Sequence, residues 1–379
     1  VACHGYLELD CERLDRERLD RERLAWAWRE LVARHEMLRC VIAPDGMQRI
    51  LAEVPAYDIA ELDLRGDTAD LRQQRLQAVR DEMSHRVPRT DRWPLFDIRT
   101  SRLDDRRTRL HISLDNIMTD GRSIGILMSE WVACYARPEQ PLAPLGLGFR
   151  DYTQALQRHR QGAEHARARD YWMQSLDELP AAPQLPLAMD PAQLRAPRFG
   201  RREYSLAPAA WQRLRQRGAE RAGLTPSGLL LAVYSEVLAR WSAAPRFTLN
   251  VPTFNRLPVH PQVNDIVGEF TSLILLAAGG DAALPFELRA RQLQQLLLRD
   301  QAHDSFTGVQ VMREIARRDG AQRAAMPVVF TSTFGLAEQA DTGHAERERQ
   351  AGRLGELVYT ISQTPQVWMD NHVHDHGGR

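Results

Sequence analysis

Apolar and polar positions along the chain alternate between strand-like and helix-like patterns. A period of two predicts a strand over residues 1–9, and charge pairs at helical spacing followed by an apolar face predict one long helix over residues 11–35. Further predicted strands lie at residues 57–64, 94–98, 108–114, 201–206, 247–251, 267–273, 326–332, 357–363 and 366–373. Further predicted helices lie at residues 67–87, 123–135, 149–160, 164–176, 208–222, 227–240, 285–299 and 308–318. This mixture predicts an α/β fold.

Prolines interrupt the pattern near the middle of the chain. Three of the nine residues from Leu179 to Leu187 are proline, which is typical of a stiff, extended connector. We therefore predict an N-terminal lobe at residues 1–178, a proline-rich linker at 179–200 and a C-terminal lobe at 201–379.

Composition and charge exclude several classes of function. The 379 residues include 50 acidic and 50 basic side chains, so the basic excess of a nucleic-acid-binding protein is absent and no nucleic-acid partner is predicted. No apolar run approaches 18 residues and no leader pattern opens the chain, which predicts no membrane partner and a cytoplasmic location. The four cysteines have neither disulfide-like nor zinc-like spacing, so we expect reduced thiols.

One polar loop follows the alternating strand that ends at residue 114. Asp115, Asp120 and Gly121 lie between this strand and the next predicted helix. Carboxylates on a loop between rigid elements are candidates for acid–base catalysis. The alternative is that each aspartate caps a turn or pairs with an arginine. The pattern alone leaves both interpretations open.

Other polar residues lie where strands end, and none forms a known cofactor motif. No glycine-rich phosphate loop or dinucleotide fingerprint is present. His372, His374, His376 and Asp375 are candidate metal ligands, because imidazoles at every second position share one strand face, but they lack a second ligand cluster, so we predict no metal site. The remaining candidates of this kind are Asn255, Arg256, Thr331, Ser332, Gln363 and Asp370.

Six segments, taken in order, closely resemble the heterocyclization domains of nonribosomal peptide synthetases. They are the Asp-x-x-x-x-Asp-Gly segment at 115–121, Thr-Pro at 225–226, FNRLPVHP at 254–261, VGEFTSL at 267–273, MPVVFTS at 326–332 and ISQTPQVWMD at 361–370. The match extends over nearly the whole chain. The family's opening and final segments would lie before Val1 and after Arg379, so we expect the chain to be a piece of a longer protein.

The resemblance implies an architecture and a set of partners. Two lobes, each similar to chloramphenicol acetyltransferase, would form a V-shaped pseudo-dimer with a central tunnel. Upstream (donor) and downstream (acceptor) peptidyl or aryl carrier domains would present substrates on phosphopantetheine at opposite tunnel mouths. No cofactor would bind the domain directly, and an adenylation domain of the same assembly line would be adjacent.

The resemblance also implies a reaction in two parts. The amine of carrier-bound Cys, Ser or Thr attacks the upstream acyl thioester, and the side chain then closes onto the new amide with loss of water to give a thiazoline or oxazoline. It assigns the catalytic roles to Thr331 and Asp370. Asn255, Ser332 and Gln363 would orient the substrate.

Two positions differ from related patterns. Condensation domains have two histidines where this chain has Asp115 and Asn116, so the catalytic imidazole is absent and we interpret Asp115, Asp120 and Gly121 as structural groups of the tunnel. After Asp370 the family more often has His-Gln-Val, whereas this chain has Asn-His-Val.

Two alternatives remain open from the sequence. The domain could be a condensation domain that forms the amide without cyclization, or a non-catalytic platform on which carriers dock. For the substrate, the resemblance implies cysteine-using siderophore assembly lines of the pyochelin kind, with an aryl donor such as salicylate.

Overall fold

The fold is a mixed α/β arrangement, seen in a computed structural model that describes residues 3–12, 19–194, 198–254, 256–334, 352, 354–364 and 366–374. The strands of the first half are β1 (His4–Cys11), β2 (Cys40–Ile42), β3 (Gln48–Ile50), β4 (Ala60–Asp63), β5 (Phe96–Arg102) and β6 (Thr108–Asp115). Its helices are α1 (Arg21–Arg34), α2 (Ala69–Ser84), α3 (Gly121–Ala136), α4 (Phe149–His159) and α5 (Ala163–Ser175).

The second half continues the same mixture. Its helices are α6 (Pro208–Ala222), α7 (Pro226–Trp241), α8 (Phe286–Gln301) and α9 (Gly308–Asp319). Its strands are β7 (Phe247–Thr253), β8 (Ser272–Ala278), β9 (Val328–Ser332), β10 (Glu356–Gln363) and β11 (Met369–Val373). The predicted α/β class is confirmed, and most predicted elements occur within a few residues of their expected bounds.

The long helix predicted from residue 11 is wrong at its start. Cys11 is the last residue of β1, and α1 begins only at Arg21. Asp20 fixes this start because its carboxylate accepts hydrogen bonds from the backbone N–H groups of Glu22 and Arg23. The charge pairs before Asp20 have helical spacing, and for that reason the predicted helix began too early in the chain.

Two predicted strands also differ from the structure. Residues 201–206 form no strand and are mostly exposed, with Tyr204 87% exposed, because no sheet edge pairs with them among the described residues. The strand predicted at 267–273 begins at Ser272 instead. Val267 and Phe270 are apolar because they are buried against the core of the first half, not because they alternate in a sheet.

A five-stranded sheet has the order β10-β1-β6-β5-β4. Strand β1 is antiparallel to both β10 and β6, so His4 lies opposite Asp115 on one side and opposite Gln363 on the other. Strand β10 comes from the second half of the chain but joins the sheet of the first half. The end of this sheet therefore combines residues from both halves.

A four-stranded sheet has the order β11-β9-β7-β8, and β2 pairs with β3 separately. Strand β9 runs parallel to both β11 and β7. Asn250, Val329 and Asp370 consequently lie in one row across the sheet, and Thr331 lies opposite His372 in a neighbouring row. Because side chains alternate between the two faces of a strand, these five side chains share one face.

Each half of the chain contributes buried side chains to a core of the other half. Val263, Ile266 and Phe270 are buried in the same core as Trp28 and Trp131 of the first half. Helix α5, in contrast, buries Ala168 and Trp172 in a core with Ile274 and Phe306 of the second half. The lobe bounds 1–178 and 201–379 stay a prediction. Each of these two cores contains residues from both sides of the proposed boundary.

Within the part of the chain that the structure describes, no single helix has the length and apolar character needed to cross a membrane. Helices α6 and α7 pass that test only when taken together, and they are bent by 90° relative to each other.

Candidate active site

The loop between β6 and α3 holds Asp120 in two roles. Its Oδ1 atom accepts a hydrogen bond of 2.7 Å from the backbone N–H of Ser123, so Asp120 is the N-cap of α3. Both carboxylate oxygens also accept hydrogen bonds from Arg256, at 3.2 and 3.4 Å. The side chains of this pair are 1% and 2% exposed. Asp120 therefore has the arginine partner that one interpretation of the loop required.

Arg256 has further contacts that fix its position. Its Nη1 atom donates to the backbone oxygens of Val263 and Ile266 at 2.9 and 2.8 Å, and its guanidinium carbon lies 3.8 Å from the ring centroid of Phe270. Burial lowers the pKa of Arg256, and the Asp120 carboxylate opposes that shift. The Asp120 carboxylate is therefore enclosed between a buried guanidinium and the N-terminus of α3, which is the geometry of a structural ion pair.

Asp115 is also buried, with 2% of its surface exposed. Its Oδ1 atom accepts a hydrogen bond of 2.9 Å from the backbone N–H of Ile117, which stabilises the turn after β6. Burial raises the pKa of Asp115, and the bond from Ile117 partly opposes this. Gly121 is the first residue of α3, and a Cβ atom built there would meet no other atom within 4 Å. The contacts of Asp115 and Asp120 with nearby backbone N–H groups thus fix the path of the chain between β6 and α3.

A second group of polar side chains surrounds Asn116. The Nδ2 atom of Asn116 lies 3.4 Å from the Cys3 sulfur, which in turn lies 3.5 Å from the Thr364 hydroxyl. Burial raises the pKa of the Cys3 thiol. Burial also raises the pKa of Glu269 to about 7, and the nearby Asp120 charge adds to that shift. Sequence reasoning assigned no role to Cys3, which lies outside the six segments, or to Glu269, which lies within the VGEFTSL segment at 267–273.

The other candidate carboxylate, Asp370, lies in the four-stranded sheet. Thr331 on β9 donates a hydrogen bond from Oγ1 to Asp370 Oδ1 at 3.3 Å. His372, two residues beyond Asp370 on β11, has its Nε2 atom 2.7 Å from Asp370 Oδ2. Thr331 is only 6% exposed, whereas the Asp370 side chain is 27% exposed. This group joins a buried hydroxyl to a partly exposed carboxylate, which is an arrangement suited to moving a proton.

The remaining predicted site residues lie elsewhere. Ser332 alternates to the opposite face of β9, where its Oγ atom lies 2.7 Å from that of Ser227. Gln363 lies in the five-stranded sheet, is 2% exposed, and donates to the backbone oxygen of Ser84. Asn255 lies outside the described residues. The structure thus brings Thr331 and Asp370 together, and it places Ser332 and Gln363 apart from them.

Asn250 is a further polar group on the face of Thr331 that sequence reasoning missed. It is 8% exposed, and its Oδ1 atom has no hydrogen-bond partner among the described residues. Buried polar atoms in native proteins are usually paired, so such an atom is a candidate for contact with a bound molecule. A polar residue in the middle of the apolar strand 247–251 was the available signal.

The described residues contain no group of three or more His, Cys, Asp or Glu side chains placed to hold a metal ion. His372 and His374 are among them, whereas Asp375 and His376 lie outside the described residues. The expected lack of a metal therefore stays a prediction.

Comparison with known proteins now identifies the family. The family model described as "Condensation domain" matches residues 10–364. The chain belongs to the condensation-domain family. Condensation domains are acyltransferases of nonribosomal peptide synthesis, and the solved members have two lobes similar to chloramphenicol acetyltransferase. The expected family and fold are confirmed.

Several relatives of this condensation domain are known in more detail. It is 39% identical over 377 residues to pyochelin synthetase PchF of Pseudomonas aeruginosa, with 100% of this chain and 20% of that protein covered. It is 37% identical over 382 residues to phenyloxazoline synthase MbtB of Mycobacterium tuberculosis, with 100% and 26% covered. The chain therefore spans about a fifth to a quarter of the length of these relatives.

Solved structures give the same result for the fold. The EpoB NRPS cyclization-docking bidomain from Sorangium cellulosum superimposes with a TM-score of 0.86 at 44% identity, covering 99% of this chain and 73% of that one. The first condensation domain of the calcium-dependent antibiotic synthetase superimposes with a TM-score of 0.66 at 17% identity, covering 87% of this chain and 74% of that one. At that identity the second likeness concerns the fold alone.

Proposed function

We propose that this domain is a heterocyclization domain. It would condense an upstream carrier-bound acyl or aryl thioester with carrier-bound Cys, Ser or Thr, and then convert the amide to a thiazoline or oxazoline. The observation that supports this most directly is the hydrogen bond between Thr331 and Asp370 on one face of the four-stranded sheet. The likeness to the EpoB cyclization domain supports the same conclusion.

The first step requires little from the protein beyond placement. An amine and a thioester already react with each other, and holding both in one tunnel makes the attack effectively unimolecular. Asn116 stands where the related condensation domains have a catalytic histidine, so this chain offers no imidazole at that position. Asp115, Asp120 and Gly121 would shape this part of the tunnel.

The second step requires proton transfer, which is the role proposed for Asp370. The side-chain thiol or hydroxyl adds to the amide carbonyl carbon, and its proton moves to the carbonyl oxygen. The ring nitrogen then loses its proton as the C=N bond forms, and the C–O bond breaks with release of water. Protons are moved but not consumed, so one carboxylate that accepts and returns them is sufficient. Thr331 would hold that carboxylate through Oδ1.

The proposal also includes partners and substrates. Donor and acceptor carrier domains would deliver both substrates on phosphopantetheine through a tunnel between the two lobes, with an adenylation domain adjacent and no cofactor bound directly. Ser332, Gln363 and Asn255 remain proposed substrate-orienting residues. The name phenyloxazoline synthase supports an aryl donor and an acceptor that closes an oxazoline ring. The resemblance to assembly lines of the pyochelin kind is the basis for proposing carrier-bound Cys as an acceptor and salicylate as a donor.

Reconstitution with one carrier loaded with salicylate and a second loaded with cysteine tests the proposal. Intact protein should give a product lighter by one water than the linear amide, measured by mass spectrometry of the acceptor carrier. Asp370→Asn should slow ring closure about 100-fold while leaving amide formation within about threefold, because the proton shuttle is lost and placement is not.

Asp91→Asn is the matched control, since Asp91 is an exposed aspartate paired with Arg89, and it should behave as the unmodified protein. If the intact protein gives only linear amide, the domain is a condensation domain without cyclization. If it binds carriers without any product, it is a docking platform. Equal loss of both steps in Asp370→Asn would contradict the role assigned to Asp370.

A further inference from the structure

His372 contacts the proposed catalytic carboxylate although no motif assigns it a role. Strand β11 runs parallel to β9 with His372 opposite Thr331, so His372 and Asp370 project from the same face two residues apart. The His372 Nε2 atom lies 2.7 Å from Asp370 Oδ2, while Thr331 contacts Oδ1 at 3.3 Å. Each oxygen of the carboxylate therefore has a different donor.

Exposure increases steadily along this group. Thr331 is 6% exposed, and the side chains of Asp370 and His372 are 27% and 42% exposed. An ionised carboxylate can only accept hydrogen bonds, so the imidazole donates its Nε2 proton to Asp370. A hydrogen bond of this length to a charged acceptor is among the stronger kinds in proteins.

We propose that His372 is a positioning residue that holds the plane of the Asp370 carboxylate for ring closure. This inference rests on the proposed function of Asp370. A single donor at 3.3 Å leaves the carboxylate free to rotate about its Cβ–Cγ bond, whereas donors on both oxygens fix its orientation. With Oδ1 and Oδ2 fixed, the remaining lone pairs point in constant directions, which is what repeated proton acceptance and return require.

The test isolates ring closure from amide formation. The carrier-bound linear amide of salicylate and cysteine is supplied ready-made, and the rate of water loss is measured by mass spectrometry. His372→Ala should lower that rate about tenfold, because one charge-assisted hydrogen bond is removed. His372→Gln should retain the rate within about threefold, since its amide N–H can occupy the place of Nε2–H without the imidazole.

Amide formation from separately loaded carriers should be unchanged by either variant. His159→Ala is the control, because His159 also faces a carboxylate, that of Glu164 at 3.8 Å, but lies in helix α4. Circular dichroism spectra confirm that each variant is folded.

Each outcome decides the inference separately from the proposed function. If His372→Ala closes the ring at the unmodified rate while Asp370→Asn does not, the inference fails and the proposed function stands. If His372→Gln is as slow as His372→Ala, donation of a hydrogen bond is not the role of His372 and the inference fails. If Asp370→Asn itself closes the ring at the unmodified rate, the catalytic role proposed for Asp370 fails, and the inference that rests on it fails as well. If the unmodified protein does not close the ring, the proposed function fails.

Discussion

The loop after β6 and the paired strands β9 and β11 each place an aspartate beside a basic side chain, but the two pairs differ in burial and in their further partners. Asp120 and Arg256 are almost fully buried and are held by the N-cap of α3 and by backbone oxygens. Asp370 and His372 are partly exposed, and Asp370 forms hydrogen bonds with Thr331 and His372. Under the proposed function, Asp120 would act as a brace and Asp370 as an available proton carrier, because burial and the number of fixed partners differ between the two sites.

The largest expected effect tests the brace. Asp120→Ala should lower the free energy of unfolding by about 3–5 kcal/mol, because it leaves the Arg256 guanidinium buried without its counter-charge and removes the cap of α3. Denaturant unfolding followed by circular dichroism measures this. Asp370→Asn, at the exposed site, should change the same quantity by less than about 1 kcal/mol.

A double variant sharpens that result. Replacing Arg256 by Met in the Asp120→Ala background should recover part of the lost stability, since no unpaired buried charge remains. A loss of less than about 1 kcal/mol in Asp120→Ala alone would refute the contrast between the two regions.

An intermediate effect is expected from pH. Glu269 has a pKa of about 7 in the folded protein, against an ordinary value of 4.5, because of burial first and the Asp120 charge among the further causes. The folded state therefore binds this proton more tightly than the unfolded chain, and stability falls as the pH rises from 4.5 to about 7. The expected loss is about 1–3 kcal/mol, measured as unfolding free energies at several pH values.

Glu269→Gln should flatten this part of the stability profile, because the amide cannot ionise. Glu287→Gln, an exposed glutamate at the start of α8, is the control and should leave the slope unchanged. An unchanged slope in Glu269→Gln would mean that this side chain is not shielded from solvent in the folded protein.

The smallest expected effect concerns the opposite face of the four-stranded sheet. Tyr234 packs there with Phe330, and its hydroxyl is buried without a hydrogen-bond partner among the described residues. Burial, with a smaller contribution from Asp370, raises the pKa of Tyr234. Tyr234→Phe should raise the free energy of unfolding by up to about 1 kcal/mol, since an unpaired buried hydroxyl is removed.

The same variant should leave the rate of ring closure unchanged, because Thr331 and Asp370 project from the other face. Thermal unfolding and the assay with the ready-made amide measure the two quantities. A large fall in ring closure would show that Tyr234 takes part in the reaction although it lies on the opposite face of the sheet from Thr331 and Asp370.

Much of the secondary structure could be predicted because its signals are local. The alternation at residues 108–114 predicted β6, and the Thr225-Pro226 pair predicted the start of α7. The errors arose where a local pattern had another cause. Residues 201–206 pair with no strand in the part of the chain that the structure describes, and Val267 is apolar because it is buried in a core outside the sheet.

The sequence by itself determined the α/β class, the order of the motifs and the identity of the residues with possible chemistry, because periodicity and motif spacing depend on near neighbours. Only the tertiary structure decided which of those residues meet. Asp120 and Arg256 are 136 positions apart, and Thr331 and Asp370 are 39 apart. Contacts over such separations depend on how sheets and helices pack. Burial at each contact then decides whether a carboxylate is enclosed beside its partner, as Asp120 is, or stays partly exposed, as Asp370 is.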